Sequence, residues 1–198
     1  MLAIDHRATN NVCLIALIAI LGYQPAVAET WRWNAANSQL EFAASYQGLP
    51  INGRFNQFSV TCSTDQLEQP MQLSVAVSIH SADMGSSEFN QAIQAADWFN
   101  VADFSEATFH SQQLQSATPE SDKTAFIARG ILQLKGLQKN IAVPLSWQNN
   151  SSDQATITGE LTLDRSDFAI GTGEWASGDQ IGLAVRVWFT VQLDKVHD

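Results

Sequence analysis

The side chains able to do chemistry are few, and their spacing does not assemble a reaction centre. Four histidines are present, His6, His80, His110 and His197. His6 sits in a leader-like stretch and His197 next to the C-terminus, which leaves His80 and His110, both in segments of strand character. A zinc site draws on several Cys and His at short spacing, and these residues with Cys13 and Cys62 do not supply it. No Gly-x-Ser-x-Gly elbow frames a serine nucleophile, and Cys62 has no partner base in sequence. Asp97, Asp103 and Glu106 flank an aromatic cluster, where turn and surface acids are a plainer reading than paired acid–base catalysis. Gly171-Thr-Gly173-Glu-Trp-Ala176 matches the Gly-x-Gly-x-x-Ala dinucleotide fingerprint, but no strand–helix–strand unit surrounds it. Its glycines are read instead as allowing a sharp turn before the last strand, with Trp175 covering an end of the core. Asn149 and Asn150 each satisfy the glycosylation pattern, which depends on the host and says nothing about activity. The residues therefore point to no catalytic group, no metal and no cofactor.

Charge narrows the partners. Ten Lys and Arg face twenty Asp and Glu, a formal net charge of -10, which argues against a nucleic-acid ligand gripped through phosphates. The first residues read as a secretory leader: a polar stretch with His6 and Arg7, an apolar run from Val12 to Leu21, then Pro25-Ala26-Val27-Ala28. That run is too short to cross a hydrocarbon core, which takes roughly 20 residues, and Ala26 and Ala28 suit a signal peptidase. The expectation is a signal peptide over 1–28, cleaved after Ala28, and one secreted domain over 29–198. Cys13 leaves with the leader. Cys62, then alone, forms no intramolecular bridge and reads as a buried thiol.

The elements that must position any site are strands. Ile181, Leu183, Val185, Val187, Phe189, Val191 and Leu193 alternate with Gly182, Arg186, Thr190 and Gln192, the period of a half-buried strand. Met71, Leu73, Val75, Val77 and Ile79 repeat the pattern, as do Ile157, Leu161 and Leu163. Further strands are expected over 38–47, 51–61, 106–115, 123–134 and 138–149, with turn signals at Gln47-Gly48, Lys135-Gly136 and Asn149-Asn150. One amphipathic helix is expected after Ser86-Ser87, where Phe89, Ala92, Ile93 and Ala96 fall on one face. The predicted fold is all-β: a single eight-stranded antiparallel barrel with one short helix between strands 3 and 4. Eight strands close a barrel just wide enough to be filled by its own side chains or to hold one small ligand.

Ser38-Gln-Leu-Glu-Phe42, Gly53-Arg-Phe-Asn-Gln-Phe58, Asp97-Trp-Phe-Asn-Val101, Ala107-Thr-Phe109 and Gly130-Ile-Leu-Gln-Leu134 occur in that order. Together the set resembles the YceI-like family. Leu161-Thr-Leu163, Arg165-Ser-Asp-Phe168 and Gly173-Glu-Trp-Ala-Ser177 are similar to one branch of it. The resemblance implies a periplasmic, extended, lipocalin-like barrel that binds polyisoprenoids or similar long-chain amphiphiles, such as isoprenoid quinones, in its central cavity, and it implies no catalysis. Many members carry an Arg-Asp-x-His-Leu-like run before the position of Trp98. Here the run is Ser86-Ser-Glu-Phe-Asn90, so no polar ligand contact is carried over from it.

Strand parity nominates an apolar cavity lining of Leu40, Phe42, Phe55, Val75, Val77, Phe109, Phe126, Val143, Leu161, Val185, Val187 and Phe189. For each, ordinary core packing is the alternative. Trp98, Phe99, Phe104, Phe168 and Trp175 are expected to shape the mouth or the closed end. A pyrophosphate head would need bases such as Arg54, Arg129, Lys135 or Arg186, whereas a quinone needs only one or two neutral hydrogen bonds, and the acidic balance favours the neutral head. The expected partners are an isoprenoid or other long-chain amphiphile and, transiently, a membrane protein. The competing expectations are a filled barrel acting as an interaction module beside a membrane redox protein, and a lipid hydrolase using His80 and His110.

Overall fold

The computed structural model describes residues 28–65, 69–118 and 122–197. The expected signal peptide, with His6 and Cys13, lies outside the described residues apart from Ala28. Eleven strands form one antiparallel sheet: β1 (Glu29–Trp33), β2 (Gln39–Tyr46), β3 (Leu49–Phe55), β4 (Phe58–Thr64), β5 (Pro70–Ser78), β6 (Ala82–Asp83), β7 (Glu106–Thr118), β8 (Asp122–Leu134), β9 (Leu137–Asn149), β10 (Gln154–Asp164) and β11 (Ala184–Lys195). Among the described residues one α-helix, α1 (Ser87–Gln94), lies between β6 and β7.

The closed ring runs β1-β4-β5-β7-β8-β9-β10-β11 and returns to β1 through Trp31↔Lys195 and Trp33↔Leu193. It is the predicted eight-stranded antiparallel barrel with one short helix. The three extra strands arise because β1/β2, β3/β4 and β5/β6 are each a long strand broken once. Beyond the breaks, β2 continues along β11, β3 pairs with β2 and β6 with β3. Closure leaves little unpaired edge, the hazard of any open sheet.

The break at Asn56-Gln57 corrects the single strand expected over 51–61. Ser81 holds it open: its hydroxyl accepts from Gln57 N at 2.9 Å and donates to Ser78 O at 2.7 Å, while its carbonyl accepts from Asn56 N at 3.1 Å. Crossing the break reverses parity, so Phe55 and Phe58 both face inward. β1 lies ahead of the first expected strand, 38–47; it offers only Trp31 and Trp33 as an alternating pair before the turn at Ala35–Asn37. The last strand begins at Ala184, later than expected, with Ile181 reduced to an isolated bridge to Tyr46.

The barrel has two unlike ends. At one, Trp31 and Trp147 meet edge to face at 5.6 Å beside Leu193 and Ala155, neither of which is accessible to solvent. Trp31 Nε1 donates to Thr64 Oγ1 at 3.1 Å, satisfying the buried indole. That plug closes the end holding the N-terminus of β1. The other end carries the β2–β3 and β8–β9 turns, the 79–105 segment with α1, and the 165–183 segment. There the β9–β10 ladder stops at Leu145↔Gly159, next to Pro144, which has no N–H to extend it. The splayed strands are spanned by a Lys139–Asp167 ion pair at 3.1 Å.

Candidate ligand-binding cavity

Between the plug and the turns lies a cavity of about 390 Å³, within the roughly 300–1,000 Å³ common for small-molecule pockets. Its floor is Val60, Leu73, Ile157 and Val191, all buried. Alternate residues of β2, β5, β9, β10 and β11 make the wall, as the period of two requires. Two glycines hold space for rings from the neighbouring strand. The ring of Phe42 lies where a Cβ on Gly53 would sit, and that of Phe189 where one on Gly159 would sit. Both pairs are direct cross-strand partners, so the aromatics lie flat on the wall. The helix turns Phe89, Ala92 and Ile93 toward the same space. Tyr46 and Phe89 are lining residues that also remain exposed, which marks the mouth.

Fifteen of the seventeen nominated residues line this cavity: Leu40, Phe42, Phe55, Val75, Val77, Trp98, Phe99, Phe109, Val143, Leu161, Phe168, Trp175, Val185, Val187 and Phe189. Two are corrected. Phe126 is buried in the packed core against the plugged half, because its strand position falls nearer β8's start than the cavity. Phe104 packs over Gly136 in the β8–β9 turn, outside the lining but at the mouth end, one of the two places expected for it. Sequence reasoning missed Phe58 and Val60, hidden by the parity change. It also missed Ile170, which sits in irregular chain with no period to read, and Ile181, which the period assigned to the last strand but which lines the cavity from the strap before it. The helical face was legible from its spacing, though its role as a cavity wall was not.

Among the lining residues there is one ion, Arg165, and it too was missed. It follows β10 in a 3-10 turn and is 3% exposed. Its guanidinium donates to five backbone carbonyls, those of Ile170, Gly171, Trp175, Ile181 and Gly182, at 2.5–3.1 Å. Three of those carbonyls belong to lining residues. Arg165 therefore ties the 170–182 strap into a wall, and its planar donor fork is used up in doing so. Burial lowers its pKa, opposed by the neighbouring Asp164. Its charge lies 5.5 Å from the Trp98 ring, and Trp98 in turn packs on Trp175 at 5.8 Å.

The strap is joined to the segment after α1. Asp97 O accepts from Gly171 N at 2.7 Å and Thr172 N at 2.9 Å, and its carboxylate accepts from Thr172 Oγ1 at 2.9 Å. Lys135 Nζ donates to Ala96 O at 2.9 Å and Ala169 O at 2.7 Å. Burial lowers the Lys135 pKa, with Asp97 opposing. The Gly-x-Gly motif thus serves a turn, with Gly171 at φ +73° and Gly173 at φ +63°.

The bases considered for a charged head do not face the cavity. Arg54 pairs with Asp83 at 3.1 Å and Arg186 with Glu160 at 2.6 Å on the exterior, Arg129 is exposed, and Lys135 is held by the two carbonyls. His80 and His110 are exposed and outside the lining, with His110 Nδ1 at 3.2 Å from Ser74 Oγ. Cys62 is buried, and burial pushes its thiol pKa up to about 12. Among the described residues no group of three or more His, Cys, Asp or Glu is placed to hold a metal ion. An open, apolar chamber can sequester hydrocarbon; it presents no paired acid and base to a bond. The continuous cavity also departs from the filled-barrel expectation.

Comparison with known proteins agrees with this architecture. The YceI-like domain family matches residues 31–193. A UPF0312 protein of Shewanella baltica is 28% identical over 142 residues, 68% of this chain and 72% of the relative. One of Vibrio campbellii is 28% identical over 142 residues, covering 68% and 73%. Among solved structures, Burkholderia cenocepacia BcnA superposes with a TM-score of 0.74 at 25% identity, over 81% of this chain and 98% of its own. A polyisoprenoid-binding domain from Saccharophagus degradans, implicated in plant cell wall breakdown, superposes with a TM-score of 0.65 at 18% identity, over 83% and 97%.

Proposed function

This chain belongs to the YceI-like domain family, and from that premise we propose that it is a non-catalytic carrier of an isoprenoid or similar long-chain amphiphile, held in the barrel cavity. The leader-like N-terminus supports a periplasmic site of action. The observation that carries the reading is the lining itself, apolar from floor to mouth, with its one ion fully engaged by backbone carbonyls. The solved relative described as a polyisoprenoid-binding domain supports the ligand class.

The energetics suit a tail-gripping site. A prenyl tail burying on the order of 1,000 Å² gains roughly 25 kcal/mol gross at 25 cal/mol per Å². Ordering the flexible chain and losing overall motion offset much of it. Affinity then follows cavity shape, and discrimination among similar tails is modest. A head group meets no free cation in the lining, which favours a neutral head such as a quinone over a pyrophosphate.

The test is native mass spectrometry of protein purified from its own host without detergent, followed by solvent extraction. A stoichiometric added mass that extracts as a quinone or polyprenyl species is the expected result. Protein that is empty and fails to take up added isoprenoids overturns the reading.

A further inference from the structure

The large apolar side chains left exposed among the described residues are not scattered. Tyr46, Leu49, Phe89 and Leu137 all stand at the mouth end, and Met71 stands at the plugged end. Two of the four owe their place to strand parity. Leu49 is opposite Tyr46 in register and two residues before Ile51, a lining residue. Leu137 is opposite Leu134, also a lining residue. Both therefore lie on the inward face of strands that have run past the rim. Leu49 is 71% exposed there. Isolated exposed leucines are ordinary, but a set gathered around the opening of an apolar chamber marks an interaction surface.

Charge identifies the surface it fits. The segments 47–48, 79–105, 135–136 and 165–183 together carry seven acids (Asp83, Glu88, Asp97, Asp103, Asp167, Glu174 and Asp179) against two bases, Lys135 and Arg165; Asp83 and Asp167 are paired with Arg54 and Lys139 of the adjoining strands, each at 3.1 Å, which leaves five acids outside those two pairs. Lys135 and Arg165 both donate to backbone carbonyls. An anionic bilayer would be repelled. The apolar tips come from three separate elements, the β2–β3 turn, α1 and the β8–β9 turn, around one opening. That is a rim, suited to a broad surface with an apolar interior rather than to one inserted side chain. Tyr46 adds to the rim an amphipathic ring of the kind enriched at membrane–water interfaces.

We propose that the mouth end docks transiently onto a lipid bilayer of low net charge, bringing the inward apolar stripe into line with the acyl layer so that a ligand crosses without entering water. The proposal rests on the carrier reading for its purpose and on the rim for its geometry.

The experiment measures transfer of a fluorescent geranylgeranyl probe from loaded protein to phosphatidylcholine vesicles, with flotation of unloaded protein on the same vesicles. The transfer rate is expected to rise in proportion to vesicle concentration. The double variant Leu49→Ser, Leu137→Ser, whose residues lie outside the lining, is expected to slow transfer by about fivefold or more with loading unchanged. Met71→Ser is expected to leave the rate as it was, and vesicles containing phosphatidylglycerol are expected to accept the probe more slowly. A rate independent of vesicle concentration overturns the proposal, as does equal slowing by Met71→Ser. Faster transfer to the anionic vesicles, or transfer only to a basic protein surface, overturns it as well. Failure to load the probe counts against the carrier reading instead. Flotation then decides the rim: weak flotation lost in the double variant supports docking, and no flotation of the parent protein overturns it.

Discussion

Gly171 and Arg165 occupy adjoining space so closely that a Cβ on the glycine would collide with Nη1 of the guanidinium, and it would also lie 3.2 Å from the Trp98 ring. The glycine also holds φ +73°, which side chains resist. Gly171→Ala is therefore expected to destabilise the fold by about 2–4 kcal/mol, lowering Tm by about 5–15 °C for a domain of this size. A thermal melt followed by tryptophan fluorescence checks it, and a change under 1 °C would refute the packing argument.

Removing Arg165 leaves five buried or half-buried carbonyls without their donor. Arg165→Met keeps much of the length and is expected to cost about 3 kcal/mol or more. Arg165→Lys offers three donors at most, so it is expected to recover only part of that loss. Denaturant titration of both variants gives the ordering. A lysine variant as stable as the parent would show that the charge, and not the donor fork, holds the strap.

Val185 lines the chamber on β11. Val185→Trp places an indole where a tail would lie and is expected to weaken uptake of a fluorescent isoprenoid by about tenfold or more, equivalent to about 1.4 kcal/mol. Unchanged uptake by a folded Val185→Trp protein would move the site elsewhere.

Asp83 accepts from Gly85 N at 2.9 Å, Asn90 Nδ2 at 3.2 Å and Arg54 at 3.1 Å, tying β3, β6 and α1 together. The Gly85 backbone bond, then Asn90 and Arg54, hold its carboxyl below the ordinary aspartate value. A carboxylate with a depressed folded pKa contributes stability above its unfolded value and loses it as pH falls through the folded one. Hydrogen exchange of α1 is expected to quicken as pH drops below about 4, after correction for intrinsic rates, and Asp83→Asn is expected to flatten that dependence. An equally steep profile in the variant would assign the effect to another group.

With its pKa near 12 and its side chain buried, Cys62 is expected to resist alkylation by iodoacetamide at pH 8 and to react once denatured. Rapid labelling of the native protein would contradict the buried position.

The barrel was legible in the chain because a strand with one face in oil and one in water must alternate apolar and polar residues, whatever its neighbours are. That local rule reaches Val185, Val187 and Phe189, and through them most of the wall. It stops where the chain leaves the period. Phe58 and Phe55 face the same chamber across a break held by Ser81, a residue far along the sequence, so no local pattern announces the change of parity. The plug is likewise a tertiary fact, since Trp31 and Trp147 meet only when β1 closes the ring. Arg165 is the furthest from local reading: an arginine in sequence is a surface charge until five carbonyls from a folded strap converge on it. Ring closure and the joining of strap to helix segment are contacts between distant residues, and these decided whether the barrel was filled, where it opened and which side chains crowd its mouth.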